Sequence, residues 1–210
     1  MSVQAAKHDT NMADFIGILA YGSLLSDAGE EITRCKKGLI ENVKTPFPVE
    51  FARSSESRGD APTLIPVDVG ATVRGNIILV DASIEEATNM LYRREIHQVG
   101  SLKNYKEPKP EYKNNVRVKA LRDFHGIKTV LYTDLSSNIP TVTAETLAQL
   151  AIVSVARAET GKDGITYLIN AKGFGIRTAL SDAYEAEILR MTGAASLDDA
   201  LSQLREKAGK

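Results

Sequence analysis

Short apolar blocks bounded by turn residues fill the first part of the chain, and helical spacing takes over towards its end. FIGILA, from Phe15 to Ala20, is apolar and stops at a Gly-Ser pair, as a buried strand entering a turn does. Val49 to Arg53 and Val73 to Val80 are further strand candidates. The connection SSESRGDAPTLIP between them is long enough to line a site. Val116, Val118 and Ala120 alternate with Arg117 and Lys119, and DFHG then turns the chain into Ile127 to Thr133, which predicts a hairpin. Helix starts are marked by caps. Ser83 with Glu86 opens a helix over 84 to 96, and Ser196 with Asp199 opens one near the C-terminus. Thr143 caps a helix with Leu147, Leu150, Ala151, Ser154 and Val155 on one face, and 182 to 192 form another. Strands first, one embedded helix, a hairpin and then helices predict an α+β fold with an antiparallel or mixed sheet. One domain is expected over 14–210, preceded by a loose arm at 1–13.

Composition agrees with that reading and removes several function classes. A chain of 210 residues, 43% hydrophobic and 25% charged, has material for one sizeable core. With 26 basic against 27 acidic residues, no global field draws in nucleic acid or an anionic membrane. The lysine-bearing segment from Lys103 to Arg122 carries Glu107 and Glu111 and reads as a solvated loop and edge strand. Cys35 is the only cysteine, which suits a reducing compartment, and the polar opening MSVQAAKHDTNMADF lacks an apolar signal core. A cytoplasmic location is expected. Phe15 to Leu25 is about half the length a helix needs to cross a bilayer, so no membrane span is expected.

Two places carry candidate chemistry. On the helix over 84 to 96, Ile84, Ala87 and Leu91 mark the core-facing stripe, and four residues further along it stands Glu95. A carboxylate there either finds a partner such as Arg53, Arg94 or Arg117, sits in a pocket with a raised pKa, or reaches solvent in the last turn. The second place is the turn Tyr21-Gly22-Ser23-Leu24. Gly22 permits a backbone that exposes successive N–H groups to a carboxylate, Ser23 offers a hydroxyl and Tyr21 a ring or phenol. An ordinary tight turn at a sheet edge fits the same four residues.

AYGSLL after the first strand, with Tyr92-Arg93-Arg94-Glu95 on a later helix, resembles the γ-glutamylcyclotransferase-like superfamily. FARSSESRGDAPTLIPVDVGATVRGNIILVD resembles that family's second and third strands and their loop, and GKDGITYLINAKGFGI resembles the segment before its last helices. The resemblance implies a small mixed, mainly antiparallel β-barrel flanked by helices. It implies that Tyr21, Gly22, Ser23 and Leu24 bind the α-carboxylate and α-amino end of a γ-glutamyl substrate. Glu95 is then the general acid/base, and Tyr132 a substrate contact. The implied reaction closes the substrate's α-amine onto its γ-carbonyl, releasing 5-oxoproline and an amine or amino acid, and requires neither a metal nor another cofactor. His8, His97 and His125 have no metal-site spacing. Gln98 to Asn115, polar and with two prolines, matches nothing in the family pattern, and its length bears on the pocket entrance. A serine hydrolase built on Ser23 lacks the G-x-S-x-G elbow, and KGFGIR lacks the ending of a phosphate loop. The principal alternative is a binding or regulatory module on the same fold without turnover. Oligomeric state is left open.

Overall fold

The first apolar block lies at the centre of a sheet. In the computed structural model, which describes residues 14–112 and 114–209, β1 (Ile16–Ala20) pairs antiparallel with β5 (Arg74–Val80) and parallel with β7 (Ile127–Asp134). With β2 (Lys36–Lys44) and β6 (Arg117–Phe124) outermost, the order is β2-β5-β1-β7-β6. The expected arm at 1–13 lies outside the described residues. Among the described residues seven α-helices accompany the sheets: α1 (Ser23–Ser26), α2 (Glu30–Cys35), α3 (Ile84–Glu95), α4 (Ala144–Arg157), α5 (Gly164–Gly173), α6 (Ser181–Thr192) and α7 (Leu197–Ala208). The fold is therefore α+β with a mainly antiparallel sheet. None of the described helices is long and apolar enough to cross a membrane.

Both faces of β1 are covered, which is why it reads as an unbroken apolar run. Ile18 and Ala20 face a cluster with Leu24, Ile78, Leu91 and Leu131, beneath α3. Leu19 and Tyr21 face the larger core with Phe51, Leu64, Leu147 and Tyr184, built from β3 (Val49–Ser55), β4 (Ala61–Pro66) and the C-terminal helices. The caps act as the sequence indicates. Ser83 and Glu86 close a reciprocal capping box on α3, and Thr143 and Ser196 cap α4 and α7. The β6–β7 turn has His125 and Gly126 between paired Phe124 and Ile127, both at positive φ, as a two-residue hairpin turn requires.

Three expectations are corrected. No closed barrel forms among the described residues: β3 and β4 pair with each other, and β2 and β6 are edges. β2 is bulged at two places, which bends an edge away from further pairing. Side chains bridge the seam from β3 to the irregular segment after β7 instead: Ser137 Oγ donates to Ala52 O at 2.7 Å, and Asn138 exchanges hydrogen bonds with the Ser54 backbone at 2.7 and 3.0 Å. Second, Ile84 does not face the core. It is 50% exposed, whereas Ala87 and Leu91 are fully buried. Third, the stretch read as a connection after Arg53 contains β4, whose prolines sit in a hairpin outside the main sheet and break the strand signal.

Glu50 holds the two halves of the larger core together. It is buried on β3, where Oε1 accepts from Phe51 N at 2.9 Å and Oε2 from Leu180 N at 3.1 Å, at the start of α6. α6 has no side-chain cap of its own, so this carboxylate serves its positive end. Replacing it strands two amides. Glu50→Ala is expected to lower stability by about 1–3 kcal/mol, read as a lower urea midpoint at unchanged slope; an unmoved midpoint would remove Glu50 from this role.

Candidate active site

The turn after β1 is shaped by one residue. Gly22 has φ 60° and ψ −132°, a conformation that side-chain-bearing residues avoid, and a Cβ there would lie 2.6 Å from Tyr167 Oη. The sharp turn starts α1, whose first amides, Ser23 and Leu24 among them, have no acceptor within the helix. Tyr21 is buried, donates from Oη to Thr133 O at 3.1 Å and meets Phe47 edge-on at 5.9 Å. Burial first, and the nearby charge of Glu95 second, push its phenol well above the usual value, so it stays neutral.

Glu95 comes to this turn from the last residue of α3. Its Oε1 accepts from Arg94 NH1 at 2.9 Å, and the same NH1 donates to Ser23 Oγ at 3.1 Å. Arg94 Nε and NH2 also donate to Asp27 O, at 3.2 and 2.7 Å. The ion-pair partner anticipated for Glu95 is thus its own neighbour, and the pair is largely shielded, with side-chain exposures of 11% for Arg94 and 13% for Glu95. Glu95 Oε2 takes no hydrogen bond from the described residues. Ser23 Oγ meets Arg94 and no base, so nothing here activates it as a nucleophile.

Two small cavities flank Ser23 and Tyr167. One, of about 30 Å³, is lined by Tyr21, Ser23, Leu24, Glu95, Thr133 and Tyr167 and closed by apolar side chains of β4. The other, of about 90 Å³, is lined by Gly22, Ser23, Ser26, Arg58, Tyr167 and Asn170. The structure therefore brings Tyr21, Gly22, Ser23, Leu24 and Glu95 together. Tyr132 lines neither cavity: it stacks on Phe47 at 4.7 Å, one ring behind Tyr21, and its neighbour Thr133 faces the cleft instead.

Two further residues belong to the site. Arg58, in the 3₁₀ turn Glu56–Arg58, lies 4.9 Å over the Tyr167 ring and donates to Lys162 O at 3.3 Å. It forms no ion pair with a described carboxylate, and burial draws its guanidinium below the usual value. Tyr167, on α5, is buried; Oη accepts from Leu64 N at 3.4 Å and finds no protein acceptor for its own proton among the described residues. Burial raises its phenol too, ahead of the smaller electrostatic effects. Arg58 sits in the connection singled out from sequence, but nothing in its local pattern says that it points at Tyr167.

Gly22→Ala is expected to cost roughly 1–3 kcal/mol, measured as a drop in urea midpoint, and to move Tyr167. An equally stable Gly22→Ala protein would show that the turn tolerates a Cβ.

Among models of known protein families and among curated proteins, none matches this chain.

Proposed function

We propose that the chain is a cofactor-independent γ-glutamylcyclotransferase-like enzyme, acting on a small γ-glutamyl substrate. The observation that carries the proposal is a shielded carboxylate, Glu95, on the wall of a cavity shared with the Tyr21–Leu24 turn, with one oxygen held by Arg94 and the other unengaged. The resemblance of AYGSLL and Tyr92 to Glu95 to that superfamily, and a mainly antiparallel α+β sheet of the kind its barrel is built from, support the same reading.

In this mechanism the substrate occupies both cavities. Its α-carboxylate takes the Arg58 side, where a guanidinium lacking an ion-pair partner and the amides at the start of α1 are available. Its γ-carbonyl then lies between Tyr167 Oη and Glu95. Glu95 Oε2 accepts a proton from the α-ammonium, and the freed amine adds to the γ-carbon to close a five-membered ring. Tyr167 donates its unused hydrogen bond to the oxyanion that develops. As the γ-carbon to nitrogen bond breaks, Glu95 returns that proton to the leaving nitrogen. It then takes the second proton from the cationic ring nitrogen and passes it to the released amine, so that neutral lactam 5-oxoproline and an ammonium product depart with Glu95 ionised again. Holding amine and carbonyl in contact supplies much of the acceleration.

A binding module without turnover is the competing reading, favoured by the small size of the cavity around Glu95, about 30 Å³. 5-Oxoproline release from glutathione, γ-glutamyl dipeptides and γ-glutamyl-lysine separates the two. Release is expected from wild type, with kcat about a hundredfold or more lower in Glu95→Gln. Arg58→Met is expected to raise KM about tenfold or more and to change kcat less, as loss of a charged binding contact does. No release from any of these substrates by folded protein leaves the binding module.

A further inference from the structure

The connection from α3 to β6 is the longest irregular stretch among the described residues, and such stretches inside a domain are uncommon unless they serve a site. Three arginines from three elements hold its backbone. Arg93 NH1 donates to Lys103 O at 3.1 Å, and Arg53 NH2 to Asn114 O at 3.4 Å. Arg117 NH1 and NH2 donate to Pro108 O and Lys109 O at 2.8 and 2.9 Å. Asn89 Oδ1 accepts from Tyr105 N at 2.7 Å, and Tyr105 Oη accepts from Val118 N at 3.1 Å. The described part of the stretch is therefore built rather than loose.

Between it and the last turn of α3 lies a cavity of about 220 Å³, larger than either cavity at Ser23 and Tyr167. This is below the roughly 300–1,000 Å³ of sites for drug-sized ligands, so it suits a small metabolite. Ile96, Pro108 and Val116 supply apolar surface. Tyr92, Lys106, Asn114 and Asn115 supply one phenol, one ammonium and two carboxamides. None of these four side chains hydrogen-bonds or ion-pairs with a described residue. No acidic side chain lines the cavity, and Arg53 stands close behind Asn114.

We infer that this cavity is a second binding site, for a small carboxylate whose nitrogen is acylated, such as an N-acyl amino acid or a lactam acid. Lys106 matches the carboxylate, and the two carboxamides match an amide, each offering both a donor and an acceptor. A free α-ammonium finds no counter-charge, so zwitterionic amino acids are disfavoured. Ile96 follows Glu95 directly in the chain, so an occupant touches the same helical turn as the proposed general acid/base.

The test is titration of the ¹⁵N-labelled full chain with N-acetylglycine, with glycine as the zwitterionic control. Saturable shifts at the amides of Tyr92, Ile96 and Val116 are expected, with binding weakened about tenfold in Lys106→Ala and for glycine, as loss of one charge-assisted contact implies. Asn114→Ala is expected to weaken it as well. No saturable shift at these amides, equal binding by Lys106→Ala, or equal binding of glycine would each overturn the inference. The readout is binding away from Ser23 and Arg58, so it stands whether or not 5-oxoproline is formed.

Discussion

One guanidinium joins the parts of this molecule that form its candidate site. Arg94 reaches from the end of α3 to Glu95, to Ser23 Oγ and to the carbonyl of Asp27. Its planar fork can serve all three because its donors point in fixed, divergent directions, which a lysine ammonium does not reproduce. Remove it, and a shielded carboxylate loses its counter-charge while the α1 turn loses its tether to α3. Such a loss costs more than an exposed ion pair would, because little water is present to replace the arginine.

Around that contact the architecture is a problem of covering surfaces. β1 is buried on both faces, so it needs α3 on one side and the hairpin and C-terminal helices on the other. Those C-terminal helices are not attached to the sheet by ladder hydrogen bonds. Their position relative to β3 is fixed by packing, by Glu50 at the start of α6 and by Arg157 with Asp60 at 3.0 Å. Tyr167 and Arg58 thus meet across an interface between separate elements, and the cleft exists only where the two halves of the core touch.

Much of the frame was legible in the sequence because its signals are local. Ser83 with Glu86, Thr143 and Ser196 are caps whose hydrogen bonds close within three residues, and the β6–β7 turn is decided by Gly126 and its neighbour. Glu95 was legible as a misfit on an apolar stripe, although the first member of that stripe, Ile84, faces solvent. β2 was not legible: two bulges shift its register, so KKGLIENVK keeps no period. β4 was hidden by Pro62 and Pro66, and α5 by an apolar surface nearly all round, with Ile165, Tyr167, Leu168 and Ala171 buried. The roles of Arg58 and Tyr167 depend on contacts more than a hundred residues apart along the chain, as in Arg58 with Lys162 and Tyr167 with Leu64, and no local pattern encodes those.

The parallel pairing of β1 with β7 has a consequence for the order of assembly. Tyr21 and Thr133, bonded across it, are 112 residues apart, so the middle of the sheet cannot close until most of the chain is present. Closing so long a loop is paid in entropy before any contact rewards it, which slows folding of non-local topologies. During synthesis the apolar β1 and β5 can pair early through their antiparallel ladder, but one side of β1 stays open until β7 leaves the ribosome. Tyr21 and the turn that follows it are thus among the first parts of the site to be made and among the last to be fixed in place.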